Sequence, residues 1–403
     1  MNAVAAALDS RVDELLELRS VANAEYFERE AARAARLCHG MAERFARGGR
    51  LLAVGSSPQA RSDVRHVAVE FVHPVIVGKR ALPAIGMTPD AGPLAAQVEL
   101  LAEPQDIAIG FGEGRADDDL RAAVATARAR GCLTVAFAPT GAEWELEPPA
   151  TDPFVRQELA ETMYHLLWEL VHVFFEHRGL LAGRETRPHH DAGASSFLYP
   201  FLAEQESDLE SVVEDVRRSV LMKADETAGL RAQTLVEGRE TLLAAAGALR
   251  RSFDTGGKTL ALGNGGSATD AMDATADFRS APQGWPARRA LDLTEDSAIL
   301  TALANDIGPE VLFARQVIAH GSPGDTAIAF STSGNSENII AALAEARRRG
   351  LATIAFVGYG GGRVLAERLA DNVVVSRSEH VPRIQEAQAS AFHVLRELVE
   401  LAV

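Results

Sequence analysis

Two stretches of this 403-residue sequence carry residue types suited to gripping an anion. Residues 260–270, LALGNGGSATD, read as an apolar strand, a glycine turn and the start of a helix. Glycine lets a backbone approach an anion closely, and the Ser267 hydroxyl with the first free N–H groups of a helix can hold a phosphate. Residues 331–336, STSGNS, place four hydroxyls and a glycine between another apolar strand and another helix. Either loop alone is equally well explained by Ser, Thr and Asn capping a helix. The two together predict a ligand crevice at the carboxyl ends of neighbouring parallel strands.

The first half of the chain carries a different chemistry. His66 and Glu70, four residues apart, share one helix face. A neutral imidazole and a carboxylate on one face suit zinc or a similar divalent ion; a partly exposed His–Glu pair is the plainer alternative. Gln157 and His165, eight residues apart, recur in the second half as Gln385 and His393. There the counterparts of His66 and Glu70 are Asp273 and Asp277, an altered ligand pair or a solvated acidic face. Gln385 and His393 read as site residues or as a polar seam at a domain interface. His189 and His190 sit in a stretch rich in Gly, Arg and Ala and read as solvent-exposed.

A repeat positions these residues. DIAIGFGEGR at 106–115 lies over DTAIAFSTSG at 325–334, and VATARARGCLTVAFAPTG at 124–141 over LAEARRRGLATIAFVGYG at 343–360. RGGRLLAVG at 47–55 lies over TGGKTLALG at 255–263, and Gln157 and His165 over Gln385 and His393. Four blocks in one order imply two copies of one unit, the first shortened mainly between Thr88 and Asp106. Each copy alternates apolar strands with amphipathic helices, which predicts a parallel sheet covered on both faces. Long amphipathic helices at 154–177 and 384–402 close the copies, and 204–253 reads as the helical lead of the second. The expected domains are 1–178 and 201–403, with a linker at 179–200.

Composition narrows the function. The chain is 47% hydrophobic and 24% charged, as an ordinary globular protein is. Its net charge of −16 disfavours nucleic acid as a partner. No apolar run is long enough to span a membrane, and the N-terminus lacks the apolar core of a signal peptide. Two cysteines, Cys38 and Cys132, both in apolar segments, fit a reducing cytoplasm better than a disulfide framework.

LGNGGSATDAMD and FSTSGNSENII resemble the two signature loops of the phosphoheptose isomerase branch of the SIS (sugar isomerase) family. Ala304-Asn305-Asp306-Ile307-Gly308 resembles its short acidic motif, and Arg383-Ile384-Gln385-Glu386 with His393 its C-terminal helix motif. The resemblance implies an α/β protein of two tandem SIS domains, each a three-layer αβα, flavodoxin-like sheet flanked by helices. It implies phosphate contacts from Gly265, Gly266, Ser267, Ser331, Thr332, Ser333 and Ser336, and substrate hydroxyl contacts from Asn264 and Asp306. Family members bind zinc through a His, a Glu, a Gln and a second His. Carried over by position, that set is His66, Glu70, Gln157 and His165, with Glu70 and His165 as base and acid.

The first copy departs from the pattern at its phosphate loops. Residues 55–61, GSSPQAR, bring a proline and an arginine, and Glu113 in 112–115, GEGR, would repel a phosphate. The second copy departs at its metal positions. The resemblance therefore implies an aldose–ketose isomerase acting on a sugar phosphate such as sedoheptulose 7-phosphate. Its proton transfer would use Glu70 and His165 at a site composed of both copies, or Gln385 and His393 with Asp277 if the second copy works alone. The alternative is a non-catalytic sugar-phosphate sensor or assembly factor. Pairing of two chains, giving four lobes, is expected from the apolar faces of the two closing helices.

Overall fold

The computed structural model describes residues 3–76, 79–113, 117–176, 180–181, 208–282 and 284–401. His189 and His190 lie outside the described residues, as does all of the expected linker except Leu180 and Leu181. Two compact units emerge: Ala22–Asp225, and Met1–Val21 with Glu226–Val403.

Each unit holds a five-stranded, all-parallel sheet. In the first, β1 (Leu51–Gly55), β2 (Ala84–Met87), β3 (Ile107–Phe111), β4 (Leu133–Ala136) and β5 (Trp144–Glu145) lie in the order β2-β1-β3-β4-β5. In the second, β6 (Thr259–Leu262), β7 (Ala290–Asp292), β8 (Thr326–Ser331), β9 (Ala352–Gly358) and β10 (Asn372–Ser376) repeat it as β7-β6-β8-β9-β10. Both follow the flavodoxin-like 2-1-3-4-5 order, which reverses direction between the first and third strands. The strands β1, β3, β4, β6 and β8 are buried along their whole length, as apolar runs covered by helices on both faces must be.

The repeat extends to buried contacts. Asp106 accepts from the backbone N–H of Arg50 at 2.7 Å and pairs with its guanidinium at 2.7 Å. Asp325 does the same for Lys258, at 2.9 Å to the N–H and 2.5 Å to Nζ. Both bridges pin the start of one central strand to the next. Phe111, Phe137 and Tyr164 form an aromatic trio in the first unit, with centroids 5.3 and 5.8 Å apart. Phe330, Phe356 and Phe392 form its counterpart in the second, at 5.1, 5.9 and 6.4 Å. Burying each ring is worth about 2–3 kcal/mol. The third ring of each trio directly precedes His165 or His393, so this packing fixes the backbone from which each imidazole projects.

The unit boundaries differ from the sequence expectation of 1–178 and 201–403. Helix α1 runs unbroken over Ala3–Ala46. Its Val12 and Leu15 belong to the core containing Leu242 and Phe392, whereas Tyr26 to Phe45 belong to the core of the first unit. Helix α6 (Leu209–Glu237) divides the same way: Val212, Val216 and Val220 join the first core and Leu235 the second. In α1 the apolar spacing crosses the boundary with no Pro or Gly near it, and in α6 Gly229, four residues past the boundary, does not break the helix. Gly238 then separates α6 from α7 (Arg239–Asp254), where the sequence suggested one helical stretch.

The closing helices, α5 (Pro153–Glu176) and, in the second unit, Val381–Leu401, were expected to leave apolar faces uncovered. Instead, Leu159 to Phe174 and Pro382 to Val399 are buried along their length within the single chain.

Candidate functional site

In the second unit both candidate anion loops lie at the sheet's switch point, after the adjacent strands β6 and β8. Helix α8 (Gly266–Arg279) begins in the glycine loop, with Gly265 (φ 57°) before it and no side chain capping its first N–H groups. Close approach is also required at Gly263, where a Cβ would fall 1.9 Å from the Ser267 carbonyl oxygen. The helix after the serine loop, Glu337–Arg348, is preceded by Ser336, whose hydroxyl makes no capping bond. Ser331 Oγ accepts from the Gly334 N–H at 3.1 Å and Ser333 Oγ from the Asn335 N–H at 3.2 Å, which shapes the turn. The two loops are tied together by Asn264 and Asn338, whose amides exchange bonds of 2.9 and 3.0 Å. Helix capping, the simpler reading of these residues, is therefore not what Ser336 or Ser267 does. Both helix starts keep N–H donors available to an anion.

The same positions in the first unit are closed. Ser57 caps α2 (Pro58–Val72) by accepting from the Ala60 N–H at 3.1 Å. Asp117 caps α4 (Asp118–Ala129) by accepting from the Leu120 N–H, and Ser56 donates to the same carboxylate. A built-in carboxylate thus occupies the helix start at which an external anion would bind. The cavity beside these loops, lined by Gln59, Gly112, Glu113 and Gln157 among others, measures about 40 Å³. That is room for ordered water.

Each unit also gathers a buried polar trio. In the first, His66, Glu70 and His165 converge. His66 Nε2 lies 3.3 Å from His165 Nε2 and 3.9 Å from Glu70 Oε1. Its Nδ1 lies 3.0 Å from the Tyr164 hydroxyl and 3.7 Å from Glu161. Burial, reinforced by neighbouring His165, pushes His66 well below the usual imidazole range, so it is neutral. In the second, His393 Nε2 lies 3.2 Å from Asp273 Oδ2 and 3.5 Å from Asp277 Oδ2. Donors 2.0–2.2 Å from a tetrahedral ion sit about 3.2–3.6 Å apart, so most of these edges fit one small divalent cation. The first trio, with two imidazoles, suits zinc; the second, with two carboxylates, is a harder set.

These burials correct two expectations. His66 and Glu70 are 3% and 2% exposed, not a surface pair, and Asp273 and Asp277 are not a solvated face. Gln157 is two turns before His165, and its amide donates to Ser62 Oγ at 3.4 Å, one turn before His66. Gln385 is buried two turns before His393. Asp306 ends the exposed helix α9 (Ser297–Asp306), which has no buried residue, and bonds its neighbour Asn305. Sequence reasoning missed Glu161 and Tyr164, although Glu161 precedes His165 by one turn and so shares its face. It also missed Gln388, which donates to the Ser331 carbonyl at 3.5 Å from the helix that carries His393.

Comparison with known proteins gives this geometry a context. The model of the SIS domain matches residues 224–358. A phosphoheptose isomerase of Roseiflexus sp. (strain RS-1) is 40% identical over 187 residues, covering 45% of this chain and 92% of the relative. The phosphoheptose isomerase of Aquifex aeolicus (strain VF5) is 45% identical over 159 residues, 38% of this chain and 81% of the relative. Two solved structures share the fold over the whole chain. The C-terminal domain of a Francisella tularensis glucosamine-fructose-6-phosphate aminotransferase matches with TM-score 0.58 at 10% identity, covering 96% of this chain and 94% of that one. The tagatose-6-phosphate ketose/aldose isomerase of Escherichia coli matches with TM-score 0.55 at 13% identity, covering 96% and 93%.

Proposed function

Because the chain belongs to the phosphoheptose isomerase family of SIS-domain proteins, we propose that it interconverts a ketose phosphate and its aldose at the second unit. The observation that carries this reading is the contrast in helix starts: uncapped at both loops of the second unit, sealed by Ser57 and Asp117 in the first. Ser267, Ser331, Thr332, Ser333 and Ser336, with the amides of Gly265 and Gly266, take the phosphate. Asn264 and Asp306 take sugar hydroxyls.

The reaction moves a proton between C1 and C2 through an enediol, which needs a base beside the carbon and a donor at the carbonyl oxygen. His393, flanked by Asp273 and Asp277 with Gln385 nearby on its helix, is the proton-transfer group of the unit that holds the phosphate loops. Glu70 and His165 are the other base–acid pair in the chain. Zinc belongs with that other pair: His66, Glu70 and His165, with Gln157 two turns before His165 on the same helix, would hold it. Such an ion, when bound, polarises a carbonyl.

Incubation with sedoheptulose 7-phosphate and zinc, followed by NMR, is expected to yield an aldose phosphate. Changing Ser331 and Ser333 together to alanine should weaken binding by about 1–3 kcal/mol for each charge-assisted bond removed. Unchanged affinity of that double variant in calorimetry would sink the assignment of the phosphate site.

We place the protein in the cytoplasm, where Cys38 and Cys132, both buried and unbridged, stay reduced. Among the described residues no helix is long and apolar enough to cross a membrane. Pairing of two chains into four lobes also belongs to this reading. With the closing helices already buried, Ile299 and Ile307, on and just after α9, are apolar surface available for it, at 38% and 54% exposure. Light scattering should give twice the chain mass at micromolar concentration; a monomer there removes the pairing.

A further inference from the structure

A third loop borders the serine loop. It follows β9 and reads Gly358-Tyr359-Gly360-Gly361-Gly362. The two loops touch backbone to backbone: a Cβ on Gly334 (φ 62°) would fall 2.4 Å from the Gly361 carbonyl oxygen. Further bonds lock them, from the Val364 N–H to the Gly334 carbonyl at 3.1 Å and from the Arg363 N–H to Asn335 Oδ1 at 2.9 Å. Within this glycine-built turn stands one bulky residue. Tyr359 has φ 49°, a left-handed backbone conformation that a glycine adopts freely and a tyrosine adopts at a cost. Tyr359 is 39% exposed, so it is not sunk in a core that would account for the expense. Nor does a hydrogen bond, since its hydroxyl bonds no group among the described residues. Its ring instead lines an open pocket of about 560 Å³ together with Ser333, Asn335, Gly360 and Gly362. Backbone strain of this kind clusters at ligand-binding positions, and an exposed tyrosine offers an apolar face with a polar tip.

We propose that Tyr359 is a substrate-contacting residue that walls the sugar-phosphate subsite beside the serine loop. Its ring covers the C–H face of the phosphorylated polyhydroxy chain, and its hydroxyl bonds a sugar hydroxyl. The proposal rests on the second unit's binding a sugar phosphate, and the experiment separates the two ideas.

The full chain and its Tyr359→Gly and Tyr359→Phe variants are titrated with sedoheptulose 7-phosphate and with inorganic phosphate, and their melting temperatures are recorded. Tyr359→Gly should raise the Kd for the sugar phosphate about tenfold, leave that for inorganic phosphate within about twofold, and relieve the backbone to melt about 2–4 °C higher. Tyr359→Phe keeps the ring and should fall between wild type and the glycine variant. Equal sugar-phosphate affinity for wild type and Tyr359→Gly overturns the proposal, as does a lower melting temperature for Tyr359→Gly, which would mark the ring as structural. A wild-type chain that binds neither probe overturns the phosphate site itself, and this proposal with it.

Discussion

Replacing His393 by asparagine is expected to lower isomerase turnover by about 10²–10⁴-fold, the usual contribution of a positioned acid–base group. Asparagine fills nearly the same space and bonds the same neighbours, but it cannot take up or release a proton near neutral pH. The imidazole is held by Asp273 at 3.2 Å and Asp277 at 3.5 Å, and it belongs to the unit whose phosphate loops are open. Because the phosphate grip proposed for Ser331 and Ser333 is untouched, KM should change little, so kcat and kcat/KM should fall together. The informative companion is His165→Asn in the first unit. If zinc sits on His66, Glu70 and His165, that variant loses bound metal by elemental analysis. Full turnover in His393→Asn with loss in His165→Asn would transfer the chemistry to Glu70 and His165.

The sequence made the framework legible because its periodicities are strong. The apolar runs inside the repeated blocks at 47–55 and 106–115 are β1 and β3, and those inside 255–263, 325–334 and 343–360 are β6, β8 and β9. The short strands β2, β5, β7 and β10 left less trace. β5 spans two residues, and β2 and β10 are only half-buried, so no continuous apolar run announces them. The glycine turn and the serine loop could be located because glycine and hydroxyl residues cluster within a few positions. What the sequence did not disclose were choices between partners. Ser57 and Ser336 are both serines before helices, yet one caps its helix and the other does not. Asp117 reads as an ordinary first-turn acid until Ser56, distant along the chain, is seen to bond it. His66 and Asp273 gained their meaning only from burial, which depends on what the closing helices cover.

The motif Arg383-Ile384-Gln385-Glu386 shows the same limit, and it supports the largest expected change in stability. The sequence pointed to Gln385, whereas the structure gives its flanking charges to the fold. Arg383 Nη1 bonds both Glu386 oxygens at 2.6 Å and Thr227 Oγ1 at 2.9 Å, and the Thr227 hydroxyl donates to Glu386 Oε2 at 2.6 Å. Arg383 and Glu386 are 3% and 0% exposed, so solvent screens the pair little. This knot ties the first turn of the helix bearing Gln388 and His393 to α6. Glu386→Ala would remove the carboxylate that bonds a buried guanidinium and should cost about 3–5 kcal/mol. Replacing both partners with apolar residues, Arg383→Met with Glu386→Leu, removes the two buried charges together and should recover most of that loss. Chemical denaturation of the four proteins of the cycle measures the coupling directly. If Glu386→Ala unfolds within about 1 kcal/mol of wild type, the knot does not hold the helix. If the double variant is the least stable of the four, the bonds to Thr227 matter more than the charge pair. The double variant also bears on catalysis: with the fold restored and the helix start no longer anchored by Thr227, any remaining fall in kcat measures how tightly His393 must be positioned.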